Sequence, residues 1–180
     1  GLVLLGGVRE QAFVEALQNQ GIPLVIAGAH LRPLEVNCVM ADTLDGMQQI
    51  MQHLIAQGRQ RIGLVNGPNT TTTSAEKYDA FRLALCNSEL AFDSQQVVSS
   101  EFSAESGYQH TRQLLQQCPD LDAVAFADDV IALGGIRAIK ESGSQIPHDI
   151  AVTGFGDYEL ASFTDPPLTS LRFCVTADQD

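Results

Sequence analysis

The 180-residue chain predicts an α/β fold built from parallel sheets with helices on both faces. Three observations lead there. Runs such as 1–6 (GLVLLG) and 61–66 (RIGLVN) are apolar without strict alternation, the pattern of strands buried on both faces. Segments of helical period lie between them, several closed by a glycine at Gly21, Gly58 or Gly143. Strand and helix then alternate along most of the chain, which calls for right-handed crossovers between parallel strands.

The elements follow in order. Residues 1–6 read as a strand, and 10–20 as a helix with Phe13, Val14 and Leu17 on one face. Strands are expected at 23–27 and 36–40, joined by a loop at 28–33. The alternation restarts at Asp42, with a helix to about Gln57 that carries Ile50, Met51, Leu54 and Ile55 on one face. A strand at 61–66 meets the turn Gly67-Pro68-Asn69. Thr73 with Glu76 three residues on has the form of a capping box opening the next helix. A short strand at Val97-Val98 precedes a helix capped by Ser103 and ending near Cys118-Pro119. A strand at 123–127, a helix at 130–142 and a strand at 150–153 complete the series. Two units are expected: 1–41 as part of one lobe, 42–172 as most of another, and 173–180 crossing back toward the first.

Composition narrows the function. The formal net charge of −12, with only ten Lys and Arg, argues against this segment gripping a polyanion. Cys38, Cys86, Cys118 and Cys174 are widely spaced, as reduced thiols of a cytoplasmic protein would be, and the four histidines are equally scattered. No metal and no cofactor is implied. No run is apolar and long enough to span a bilayer, so no membrane partner is expected. Neither G-x-S-x-G, G-x-G-x-x-G nor a phosphate-binding loop occurs, and no Cys is paired with His, so an enzyme is not expected.

The stretch 149–172, DIAVTGFGDYELASFTDPPLTSLR, carries the most information. A buried strand at 150–153 is expected to break sharply at Gly154-Phe155-Gly156-Asp157. That would place the following residues on the sheet edge where ligands of open α/β folds bind. Pro166-Pro167 enforces an extended connection before the strand-like Leu168–Leu171.

This stretch resembles the effector-binding core of the LacI/GalR transcriptional regulators, whose segment reads roughly DIAVVGFDD, a short helix, then PPLTTVR. Asp45-Gly46 followed by HLIAQGRQRIGLVNGP, and DAVAFADDVIALGG from Asp122, are similar to two further motifs of that family. The likeness runs from Gly1 to about Arg172. It implies a two-lobe, periplasmic-binding-protein-like core with an incomplete N-terminal lobe, holding a small effector between the lobes. It also implies operator DNA bound through a helix-turn-helix head not present in this chain, a homodimer, and a repressor in the cytoplasm. Leu90, Ala91 and Phe92 are the apolar positions that could serve the dimer. A periplasmic sugar-binding protein of a transport system shares the architecture and is the alternative.

The resemblance also points to site residues. Thr71 and Thr73, in a run of four threonines opening a helix, would offer donors to ligand oxygens. Lys77 stands where the family has an arginine, keeping the charge without the planar fork. Phe102 would give a flat apolar wall. Asp128 replaces a family asparagine and can only accept hydrogen bonds while ionised, with Asp129 read as the helix cap. Gly156 and Gly28 stand where many members carry aspartates. Two acids lost and one gained, with Lys77 retained, favour a sugar acid such as gluconate or a phosphorylated sugar, its anion near Lys77.

Overall fold

The computed structural model describes residues 1–5, 11–28 and 34–173. Eight strands among them form two parallel sheets. The smaller holds β1 (Leu2–Leu5), β2 (Leu24–Ala27) and β3 (Asn37–Val39) in that order. The larger has the order β5-β4-β6-β7-β8, with β4 at Ile62–Asn66, β5 at Val97–Ser99, β6 at Ala123–Phe126, β7 at Ala151–Gly156 and β8 at Thr169–Arg172. Helix α1 (Gln11–Asn19) joins β1 to β2. Helices α2 (Thr43–Ala56), α3 (Thr72–Asn87), α4 (Ala104–Gln117) and α5 (Asp129–Glu141) serve the larger sheet.

Helices cover both faces of the larger sheet. Met47, Ile50, Met51 and Leu54 of α2 and Phe81 and Leu85 of α3 pack on Ile62, Leu64, Ala123 and Ala125. On the other face Leu114 of α4 and Ile131, Ile136 and Ile139 of α5 pack on Val65, Val124, Phe126 and Val152. Successive strand residues thus enter opposite cores, which is why these strands read as apolar without alternation. Helices α4 and α5 cross very closely. A Cβ at Gly134 would lie 1.8 Å from the Ala104 carbonyl oxygen, and one at Gly107 2.2 Å from that of Ile131.

Among the described residues, the smaller sheet is covered on one side only. Val14 of α1 and Ile26 are fully buried together, with Leu4 and Cys38 against them. On the opposite side Val3 is 67% exposed, Leu5 80% and Val39 65%, with Leu5, Ala27 and Val39 aligned in one row. Parallel sheets ordinarily have both faces covered, and among the described residues nothing covers Leu5 and Val39 on this side.

Several expectations need correcting. Strand β7 does not break at Gly154 but continues to Gly156, because Phe155 is buried and Gly156 still pairs with Arg172. The turn comes one residue later, at Asp157, with φ +51°. Helix α3 is capped by Thr71, whose hydroxyl accepts from the Ser74 amide, and not by a Thr73–Glu76 box. Glu76 instead accepts a hydrogen bond from the Thr43 hydroxyl on α2. Asp128, not Asp129, caps α5, accepting from the Val130 amide at 2.8 Å. Leu90 packs against the core, and Phe92 sits edge-on to Tyr78 and Phe81 at centroid distances of 6.3 and 6.4 Å. The expected start of the first helix at Glu10, most of the loop at 28–33 and the crossing at 174–180 lie outside the described residues.

Candidate functional site

In the larger sheet β4 leads outward to β5, while β6 returns to its other side. The connections leaving β4 and β6 therefore diverge, opening a crevice at the carboxyl ends of the strands, where open α/β sheets bind ligands. A cavity of about 250 Å³ lies there. The larger unit contributes Thr43, Thr73, Lys77, Phe102, Asp128, Phe155, Tyr158 and Phe173 to its wall. The segments after β2 and β3 contribute Gly28, Met40 and Ala41, so the cavity lies between the two sheets.

Each polar wall residue is held by the local fold. Lys77 lies on the second turn of α3 and is only 6% exposed. Its ammonium donates to the Ala127 carbonyl at 2.8 Å and lies 3.8 Å from the centre of the Phe155 ring. Burial lowers its pKa from 10.5 to about 8, against the opposing pull of Asp128 and Glu76. Asp128 extends from the end of β6 with φ −160°, one carboxylate oxygen engaged in capping α5. Its other oxygen accepts from the Tyr158 hydroxyl at 3.2 Å. Burial raises the Asp128 pKa above the usual carboxylate value, outweighing the Val130 amide, the Tyr158 hydroxyl and the Lys77 charge. The Tyr158 phenol is also shifted upward, first by burial and then by Asp128.

Tyr158 is fixed from below as well. Its amide donates to the Asp129 carboxylate at 2.8 Å, and the same fully buried carboxylate accepts from the Ser170 hydroxyl at 2.6 Å. Ser170 in turn accepts from the Asp157 amide at 3.0 Å. The turn after β7 is thereby tied to both α5 and β8.

Four of the six residues expected at the site border this cavity: Thr73, Lys77, Phe102 and Asp128. Two do not. Thr71 is committed to the start of α3, its hydroxyl accepting from the Ser74 amide and bonding the Ser74 hydroxyl at 2.6 Å. Gly156 presents no side chain, and the Tyr158 ring covers it, 3.1 Å from where a Cβ would stand. Gly28, by contrast, does border the cavity. Phe102, 46% exposed, stands over the β4–α3 turn, where a Cβ on Gly67 would come within 2.7 Å of its ring.

Tyr158, Phe155, Phe173, Thr43, Met40 and Ala41 were not expected. Only Tyr158 left a sequence signal, since a glycine two residues earlier frees the space its ring fills. Phe155 and Phe173 meet edge-on at 5.1 Å, so the cavity wall carries four aromatic rings. A wider hollow of about 670 Å³ touches Pro23, Leu24, Val36 and Asn37, at the amino ends of β2 and β3. That edge of a parallel sheet is not where ligands gather. Among the described residues no group of three His, Cys, Asp or Glu could hold a metal ion, and no helix is long and apolar enough to cross a membrane.

Comparison with known proteins adds to this geometry. Residues 51–176 match the family described as periplasmic binding protein-like domain. The chain is 34% identical over 177 residues to the HTH-type transcriptional regulator CelR of Thermobifida fusca, covering 96% of this chain and 51% of that protein. It is 31% identical over 172 residues to the HTH-type transcriptional repressor CytR of Escherichia coli K12, covering 95% and 50%. Its fold is similar to the solved structure of a transcriptional regulator CelR–cellobiose complex, with a TM-score of 0.86 at 34% identity over 94% of this chain and 53% of the other. A regulatory protein of the LacI family from Chloroflexus aggregans gives a TM-score of 0.88 at 26% identity over 95% and 62%. The chain thus spans about half the length of the curated relatives it matches.

Proposed function

The chain belongs to the periplasmic binding protein-like family in the form carried by LacI/GalR-type regulators, and from that membership we propose that its cleft senses a neutral sugar. In this reading the occupied cleft changes the grip of the full-length, dimeric, cytoplasmic repressor on operator DNA. The observation that carries the ligand class is the composition of the cavity wall. Four aromatic rings surround one carboxylate and one ammonium. Aromatic faces suit the C–H faces of a pyranose, and Asp128 accepts from its hydroxyls. The two charges offset one another, and the ammonium is already engaged by the Ala127 carbonyl and the Phe155 ring. The structure of a cellobiose complex of a 34% identical relative supports the same ligand class.

A sugar acid is the second reading. It is favoured by Lys77, the one cation among the described wall residues. The regulators found by comparison support a DNA-linked sensor over a transport protein. The test is operator affinity of the full-length protein, measured by fluorescence anisotropy with and without glucose, cellobiose or gluconate. Effector coupling in such systems is typically about 5- to 150-fold. A neutral sugar that shifts operator affinity within that range supports the proposal, and no shift with any sugar overturns it.

A further inference from the structure

We infer that Tyr158 determines specificity in this cleft, forming with Asp128 a pair of acceptors that reads two adjacent sugar hydroxyls. The inference deepens the neutral-sugar reading and rests on it. Its first support is the way the ring is placed. Gly156 has φ +127° and no side chain, and the Tyr158 ring lies over it, 3.1 Å from where a Cβ would stand. Any larger residue at 156 would be strained at that φ, and its Cβ would press the ring to shift by a few tenths of an ångström. Gly156 thus acts through Tyr158: it is a seat for the ring and not itself a contact.

The second support is the clamp at both ends of the residue. The buried Asp129 carboxylate holds the Tyr158 amide, and Asp128 holds the hydroxyl. The ring is nevertheless 45% exposed and borders the cavity. An exposed tyrosine fixed at its backbone and its tip is a preorganised wall, with little conformational freedom left to lose when a ligand arrives.

The hydrogen-bond chemistry then sets what the pair accepts. The phenol proton is committed to Asp128 across 3.2 Å. The phenol oxygen keeps its lone pairs, and the ionised carboxylate has only acceptors. Two acceptors side by side call for two donors side by side, which a vicinal diol supplies. A carboxylate or phosphate placed there would set acceptor against acceptor. Neither Lys77, already engaged, nor Thr73 offers this paired geometry.

The experiment is calorimetric titration of the full-length protein and its Tyr158→Phe variant with glucose and its 2-deoxy, 3-deoxy and 4-deoxy forms, and with cellobiose. Tyr158→Phe keeps the ring and loses only the oxygen, and its melting curve reports whether the fold is intact. The wild type is expected to disfavour at least one deoxy sugar by about tenfold, the worth of one hydrogen bond at a charged pair. In Tyr158→Phe that discrimination should fall to about threefold or less, while the affinity for that deoxy sugar stays close to wild type. Equal discrimination in both proteins overturns the role of Tyr158 and leaves the sugar reading standing. No binding of any sugar to the wild type overturns both. As a second arm, Gly156→Ala should weaken binding of the parent sugar and erase the same discrimination, by displacing the ring. Full discrimination in Gly156→Ala would contradict the seat.

Discussion

The Lys77 ammonium lies 3.8 Å from the centre of the Phe155 ring and donates a 2.8 Å hydrogen bond to the Ala127 carbonyl. One buried cation therefore joins α3 to the end of β6 and to β7, at the floor of the cleft. A cation over an aromatic face, partly desolvated, is held by up to about 2 kcal/mol. Burial still lowers its pKa from 10.5 to about 8, so charging Lys77 in the folded state costs more than the ring and carbonyl return.

That cost predicts a pH dependence. Below pH 8 Lys77 is protonated in both folded and unfolded chains, and the burial penalty is present in full. Between about pH 8 and 10.5 the folded protein has lost this proton and the unfolded chain has not, so stability rises with pH. The whole effect is on the order of 3 kcal/mol, from the shift at about 1.4 kcal/mol per unit. Lys77→Met removes it. Urea melts of both proteins at pH 7 and pH 10 should show wild type gaining on the variant at the higher pH. A constant difference would mean that Lys77 does not titrate in this window.

The close crossing of α4 and α5 predicts a severe effect from a minimal change. Gly134→Ala would place a methyl 1.8 Å from the Ala104 carbonyl oxygen and 2.5 Å from the Tyr108 amide nitrogen, all backbone. Backbone cannot rotate away, so the helices must part. The expected loss is about 3 kcal/mol, at the upper end of overpacking costs, read from a denaturant midpoint. Gly143→Ala has open space around it but φ +91°, so its cost is conformational alone and smaller, about 1 kcal/mol.

Asp129 should matter more for order at the cleft than its distance from the cavity suggests. Asp129→Asn puts an amide where one oxygen now accepts from the Tyr158 amide or the Ser170 hydroxyl. One of these buried donors then faces another donor. The expected destabilisation is about 1–3 kcal/mol, with faster hydrogen exchange at residues 157 and 158. Unchanged exchange there would show that the turn after β7 is held by other contacts.

Asp128 combines a cap and an acceptor, and two substitutions separate them. Asp128→Asn keeps an oxygen for the Val130 amide, so stability should change by less than about 0.5 kcal/mol, since the two residues cap about equally well. Asp128→Ala should lose about 1 kcal/mol with the cap. Sugar binding, followed by titration calorimetry, should weaken in both. If Asn left binding intact, the carboxylate would not be the acceptor.

Most of the architecture was legible because buried parallel strands and glycine-closed helices leave strong local patterns. The runs at 61–66 and 123–127 mark β4 and β6, and Ser103 caps α4 as expected. Errors arose where neighbouring residues compete for one role. Thr71 and Thr73 both could cap α3, and Asp128 and Asp129 both could cap α5. The choice is made by tertiary partners: Ser170 and Tyr158 claim Asp129, and Thr43 claims Glu76. Gly154 and Gly156 suggested a break, but pairing with β8 carries β7 through both. Residues that reach the cavity from loops, such as Met40 and Phe173, have no periodic signature at all. Lys77, expected at the site from its place in the sequence, borders the cavity. Its engagement by Ala127 and Phe155 depends on strands far away in sequence, and that engagement weakens the case for an anionic ligand.

The central claim, a cleft whose charges offset one another and whose rings receive a neutral sugar, is tested most directly by calorimetric titration of the full-length protein. Glucose and cellobiose are set against gluconate, in wild type and in Lys77→Met. The account predicts saturable single-site binding of a neutral sugar to the wild type, retained within about threefold in Lys77→Met, and no measurable heat from gluconate; at a hundredfold excess over its Kd, the bound sugar should also add about 2.7 kcal/mol of stability. Tight binding of gluconate that disappears in Lys77→Met, with neutral sugars inert, would contradict it.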